Sequence, residues 1–210
     1  MVDQKDLLLR EVHHRMKNNL NSLHSLFELD ASTRQDPKAS ALLKDAQMRL
    51  LSMGVLYDEL FRTRNIQALS VRDYLPSLMN QIKDTFKTDA LVSMDFVLED
   101  LVLEVKIISV MGIIANEITT NIMKYAFVDR ERGHISVSLA KKEGRVCFSI
   151  EDNGVGFPIG TDLPCATEKE REGSSSGFGL HLISLLAAQL RGTARMERTE
   201  GTKLVVEFSP

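Results

Sequence analysis

EDNGVGFP, residues 151–158, decides how the second half of the chain is read. It follows an alternating segment, Arg145–Glu151, that reads as a strand. An acid at a strand end, with glycines two and four residues after Asp152, lets backbone approach a flat ligand closely. Asn-Gly alone would signal only a hairpin turn. Downstream, GSSSGFGLHLISLLAAQL at 173–190 places Gly177 and Gly179 where a helix begins. Glycines entering a helix N-terminus make an anion site from free N–H groups and the helix dipole, although a flexible linker gives the same letters. Upstream, Glu104–Tyr125 reads as one long, largely buried helix. It carries Glu117, Asn121 and Lys124 at spacings of four and three, hence on one face. A carboxylate, an amide oxygen and an ammonium in line suit a phosphate–metal site, with a solvated polar face as the alternative.

The remaining elements frame these three motifs. Ser70–Phe86 reads as an amphipathic helix capped by Ser70, and Leu91–Val97 as a strand followed by a short one near Leu101–Leu103. Gly133–Ala140 pairs with Arg145–Glu151 through a turn at KKEG, and Thr193–Arg198 with Lys203–Phe208 through Glu200–Gly201. Phe157–Ser176 is polar and reads as a loop, and Phe178–Leu190 as a helix. Helices on one face of a mostly antiparallel sheet predict an α+β sandwich over residues 66–210.

In this order and spacing the motifs resemble the N, G1 and G2 boxes of the GHKL (Bergerat) ATP-binding fold, shared by histidine kinases, gyrase, MutL and a heat-shock chaperone. The resemblance spans roughly Ile107 to Phe208. It implies that NEITTNIMKYAF is the N box, with Asn121 holding Mg²⁺, Lys124 reaching phosphate and Tyr125 lying beside them. It implies that Asp152 accepts a hydrogen bond from the adenine amino group and that Gly154 and Gly156 shape the adenine pocket. Guanine presents a carbonyl there, which a buried carboxylate would disfavour by roughly 1–3 kcal/mol. Gly177, Phe178, Gly179 and Leu180 would lie along the phosphates, Thr202 with Gly201 would support the far wall, and 157–176 would be the ATP lid.

Residues 1–65 are of another kind. Leu9, Val12, Met16, Leu20, Leu23 and Phe27 form a narrow helical stripe, close to a coiled-coil seam. The pattern breaks at ASTRQDP, where Asp36 suits an N-cap and Pro37 a first turn. Leu42, Ala46, Leu50, Met53, Tyr57 and Leu60 make a second stripe. An antiparallel hairpin follows, and pairing two of them into a dimeric four-helix bundle would cover the stripes. At about 100° per residue His14 points roughly 160° from the seam centre, whereas His13 lies only about 60° away. His24, His134 and His181 suit surface or hydrogen-bonding roles.

The segment EVHHRMKNNL, residues 11–20, resembles the histidine box of the HWE-related branch of histidine kinases. The N box lacks that branch's histidine and the G1 region its W-x-E, which places the chain in a sister group. The resemblance implies an ATP-dependent protein histidine kinase with His14 as phosphoacceptor, in two-component signalling. It implies a response-regulator receiver as partner and an upstream sensor module, in cis or in trans. Where other kinases carry an acid directly after the acceptor, this chain has Arg15. Glu11 is the nominee for orienting base, with Glu117 as its rival. Two other functions fit parts of the pattern: a phosphotransfer scaffold with a non-catalytic ATP-like domain, and a serine kinase of the anti-sigma type. The first sits poorly with the complete boxes, the second with residues 1–63.

Composition is that of an ordinary soluble protein. Of 210 residues 43% are hydrophobic and 26% charged, with a net charge of −3, so bulk electrostatics recruits neither nucleic acid nor an anionic membrane. Two cysteines are too few for a disulfide framework, and the N-terminus has no signal-like apolar run, so the expected compartment is the cytoplasm.

Overall fold

The computed structural model describes residues 4–33, 36–63, 67–157, 163 and 175–210. Helices α1 (Gln4–Thr33) and α2 (Pro37–Thr63) form the expected hairpin. Pro37 opens α2, where its missing N–H costs nothing, and the Asp36 carbonyl accepts the Ser40 N–H at 3.0 Å. The hairpin runs antiparallel in register: Lys17 reaches Asp58, the Gln47 amide donates to the His24 carbonyl, and the Ser40 hydroxyl to the Ala31 carbonyl.

The second half begins with a short strand β1 (Ala68–Ser70) that pairs with β3 (Val102–Glu104). Between them lie α3 (Val71–Thr85) and β2 (Leu91–Leu98). Ser70 occupies the N-cap position with extended backbone, but its side chain makes no cap hydrogen bond, because β1 already fixes that residue. Helix α4 (Val105–Asn121) continues into a π-helical turn, Ile122–Ala126, where a regular helix to Tyr125 was expected. Then come β4 (Arg132–Lys142), β5 (Arg145–Asp152), α5 (Ser175–Gln189), β6 (Thr193–Arg198) and β7 (Thr202–Phe208). Helix α5 starts three residues before Phe178, so Ser175 and Ser176 belong to it; 158–162 and 164–174, most of the expected lid, lie outside the described residues.

The main sheet has the order β2-β4-β5-β7-β6, parallel between β2 and β4 and antiparallel elsewhere. Strand parity turns one set of side chains to the helices: Phe96, Val137, Ile150 and Leu204 register across four strands and join one core with α3, α4 and α5. The α+β sandwich is therefore as read from the sequence. The β4–β5 turn closes on Glu143 and Gly144, both at positive φ, as a two-residue hairpin requires.

Helix α2 differs from the expectation in one respect. The stripe Leu42–Leu60 leaves Leu42 and Met53 exposed, while Ser52, Val55, Leu56 and Leu60 are buried. Ser52, Val55 and Leu56 belong to a second face, which with Leu60 of the stripe packs on α3 and α4; Val55, Leu56 and Leu60 are continuous with the core of the second half. The Tyr74 hydroxyl of α3 donates to the Ser52 carbonyl at 3.3 Å and lies over Gly112 of α4. Burial pushes that hydroxyl well above its ordinary pKa, so it stays a donor. A methyl at 112 would overlap the Tyr74 hydroxyl, and Tyr74 has no room to move. Gly112→Ala is expected to destabilise the fold by about 1–3 kcal/mol, read by thermal or denaturant unfolding. An unchanged stability would mean that the α3–α4 contact is looser than described.

Among the described residues one helix, Val105–Ala126, is long and apolar enough to cross a membrane. Two thirds of its most apolar window is buried within the protein, as for a core helix.

Candidate functional site

Asp152 ends β5 on the same parity as Phe148 and Ile150, so its carboxylate turns toward the helices and is 3% exposed. The chain leaves β5 at once and folds back. The Gly154 N–H donates to Asp152 Oδ1 at 2.7 Å, and the Thr202 backbone N–H also donates to this carboxylate. Burial raises the Asp152 pKa most strongly. The Gly154 and Thr202 N–H groups and the Arg130 charge pull it back only in part, while Glu151 adds to the rise. The carboxyl thus sits above the usual aspartate value, with acceptor capacity left for a ligand.

The 152–157 loop is held on every side. The π turn presents the Ala126 carbonyl, which accepts the Val155 N–H at 2.9 Å. A side chain at Gly154 would collide with that carbonyl and with Asp152, so only glycine fits. Gly156 has φ +74 and faces the Gly201 carbonyl. The Phe157 N–H donates to Thr202 Oγ1 at 3.2 Å, and Arg198 Nη1 donates to the Phe157 carbonyl at 2.9 Å.

Arg130 escaped the reading of the sequence. Its Nη1 donates to the Asn153 carbonyl at 2.7 Å and its Nη2 to the Gly154 carbonyl at 3.2 Å, while Asn153 Oδ1 accepts the His134 N–H at 2.8 Å. No local signal marks a loop arginine whose partners lie more than twenty residues away. Arg130→Ala is expected to raise KM for ATP roughly fivefold with little change in kcat, and Arg130→Lys to recover part of it, in a steady-state phosphorylation assay. Unchanged KM in the alanine variant would remove Arg130 from the site.

The helical side of the site brings the other motifs together. Gly179 lies against Glu117 and Asn121: a methyl there would stand 3.0 Å from Glu117 Oε2 and 3.7 Å from Asn121 Nδ2. The start of α5 therefore meets the polar face of α4. Asn116 Oδ1 and Thr120 Oγ1 on that face are buried with no hydrogen-bond partner among the described residues. Hard oxygen donors of this kind fit a divalent cation of the magnesium class. Tyr125 is exposed, whereas the Leu180 side chain is 5% exposed and packs in the core. The side chains of Ser175–Phe178, with the expected Gly177 and Phe178 contacts, lie outside the described residues.

On α1, His14 is exposed, as its angle from the seam predicted. The side chains of Leu9, Val12 and His13 lie outside the described residues. Glu11 bonds to Arg15 at 2.7 Å, and this bond with the Arg15 charge, aided by His14, holds its carboxyl below the usual range. His134 is held between the Ser93 and Ser136 hydroxyls, the hydrogen-bonding role expected of it.

Comparison with known proteins gives the following. Residues 11–86 match a family model described as histidine kinase, and residues 109–210 one described as histidine kinase-, DNA gyrase B- and HSP90-like ATPase. The chain is 26% identical over 196 residues to the sensor histidine kinase PdtaS of Mycolicibacterium smegmatis, covering 91% of this chain and 37% of that protein. It is 24% identical over 206 residues to PdtaS of Mycobacterium tuberculosis, covering 96% and 39%. It thus spans less than two fifths of these curated relatives. In fold it resembles the histidine kinase domain of a blue-light activated histidine kinase from Erythrobacter litoralis, with a TM-score of 0.63 and 21% identity, covering 97% of this chain and 91% of that one.

Proposed function

We propose, for a chain that is the catalytic core of a histidine kinase with an ATP-binding domain of the GHKL type, that it transfers the γ-phosphoryl group of ATP to His14 and then to an aspartate of a receiver domain. The observation that carries this is the pairing, in one chain, of an exposed histidine on a helical hairpin with a preorganised, buried Asp152 loop. Residues 1–65 act as the phosphotransfer hairpin and 66–210 as the ATP-binding domain.

Asp152 accepts the adenine amino group, and the clamped loop holds the ring edge-on to it. Lys124 and the N-terminus of α5 would take the phosphates, and Asn121, with the oxygens beside it, would hold Mg²⁺, which would supply neutralisation of phosphate charge. A neutral ring nitrogen of His14 attacks the γ-phosphorus. The P–N bond forms, the bond to the bridging oxygen breaks, and ADP leaves with that electron pair. Glu11, one turn before His14, favours the imidazolium that forms; its bond to Arg15 makes it a weak base, so it orients and stabilises rather than removes the proton.

The exposed Leu23, Leu26, Leu29 and Leu42 at the loop end of the hairpin support its pairing with a second copy as a four-helix bundle. A cytoplasmic location and a sensor acting from upstream complete the reading. Incubation with γ-labelled Mg-ATP is expected to give acid-labile, alkali-stable label on the chain, removable by a receiver domain. Acid-stable label would point instead to a hydroxyl acceptor.

A further inference from the structure

Helix α2 lies along the polar face of α4 and covers part of it: Glu117 is buried and Asn121 half-buried, while Lys124 stays exposed but ion-paired. Arg49 forks onto Glu117, Nε to Oε1 at 2.7 Å and Nη2 to Oε2 at 3.1 Å, with side chains 24% and 9% exposed. About two turns further along the helix, Lys124 Nζ reaches Asp45 Oδ1 at 2.7 Å. Each contact joins the hairpin to the ATP-domain half; the second takes the lysine assigned to the phosphates, and the first fixes α2 beside it. Between α2 and α4 a cavity of about 20 Å³ remains, lined by Asp45, Met48, Asn116, Thr120 and Asn121 among others. That is room for one water, not for a triphosphate. The docking level matters too. Gln47 sits opposite His24, ten residues along α1 from His14, which is about 15 Å of helix. With α2 on α4, the phosphate face is partly covered, its lysine is taken by Asp45, and it lies far along the hairpin from the acceptor.

We propose that Asp45 and Arg49 set the nucleotide affinity of this chain, as an internal competitor of the triphosphate. The Asp45 carboxylate takes the Lys124 ammonium that a phosphate would take. The Arg49 guanidinium takes the Glu117 carboxylate. ATP enters its phosphate subsite only as α2 leaves α4, so anything that shifts the hairpin changes ATP affinity, and ATP in turn shifts the hairpin. Whatever bends or pairs α1 and α2 is thereby coupled to the ATP site through two ion pairs rather than through the distant His14.

The inference rests on the ATP reading of the site, and the experiment separates the two. Calorimetric titration of the full chain with Mg-ATP compares wild type with Asp45→Asn and Arg49→Gln, which keep side-chain shape and remove charge. A second pair, Asp45→Ala and Arg49→Ala, repeats the test with the side chains shortened, and circular dichroism verifies that each variant is folded. If α2 competes, the competent fraction rises and the apparent Kd falls about tenfold in the variants, with the double variant at least as tight. Equal or weaker binding in both folded single variants, with wild type binding, overturns the competition and leaves the ATP reading standing. Absence of nucleotide binding in wild type and every variant overturns both.

Discussion

His14→Gln is expected to abolish incorporation of acid-labile phosphate from labelled Mg-ATP, whereas His13→Gln keeps it within a few fold. A nucleophile that accepts a phosphoryl group from another part of the molecule must present a ring nitrogen to solvent, and His14 is exposed on the outer side of α1. Its neighbour Glu11 is charged and one turn away, with Arg15 bonded to it, so the side chains around His14 are polar and open. Glutamine keeps length and hydrogen bonding but has no nucleophilic ring nitrogen, so the loss reads chemistry and not folding. Nucleotide binding by His14→Gln should be unaltered, because the Asp152 loop makes no use of it. Label retained by His14→Gln and lost in His13→Gln would move the acceptor one residue back.

Asp152→Asn is expected to weaken ATP binding about a hundredfold, without loss of folded protein. The buried carboxylate already accepts the Gly154 and Thr202 N–H groups, and under the proposed reading its remaining lone pairs would take the exocyclic amino group of adenine. Asparagine must keep its oxygen toward Gly154 and so turns an N–H₂ toward the adenine amino group, donor against donor. An unpaired buried donor costs roughly 1–3 kcal/mol, which sets the size of the loss. The same substitution should narrow the preference for ATP over GTP, since the new amide can donate to the guanine carbonyl. Burial raises the Asp152 pKa, so the carboxylate needed for adenine is lost as pH falls through that raised value, above the range of an ordinary aspartate. Nucleotide binding in wild type should therefore weaken on acidification earlier than a solvated aspartate would allow, and in the asparagine variant this step should be missing. Stability has the opposite sign. The raised pKa favours the folded state at low pH, so removing the charge should leave Asp152→Asn at least as stable as wild type at neutral pH.

Much of this arrangement was legible beforehand, and the exceptions share a cause. Alternation along Gly133–Ala140 and Arg145–Glu151 fixes both strands and their turn, because one sheet face is buried and the other is not. The same parity carries Asp152 to the helix side, so a motif read as letters became a site with a direction. Exposure of His14 followed from the helical angle alone. By contrast, Arg130, Arg198 and Arg49 act on partners 23 or more residues away, and nothing local distinguishes a clamping arginine from a solvated one. The second face of α2 was hidden for a related reason. Ser52, Val55, Leu56 and Leu60 overlap the stripe read for the hairpin, and a helix apolar on two sides blurs its own periodicity. Strand β1, three residues long, is too short to show any alternation.

The π-helical turn at Ile122–Ala126 has a consequence for residue counting. Such a turn closes over five residues instead of four, so it inserts one residue into the helix without lengthening the path to the next element. Residues up to Asn121 and those after Ala126 therefore stand in different phases of one helical ruler. A wheel drawn at constant pitch places Glu117 and Asn121 correctly and then loses a step before Phe127. For the same reason, a chain without the turn would line up with this one only across a one-residue gap within NEITTNIMKYAF, and positions on either side of that gap would correspond in space while differing by one in number.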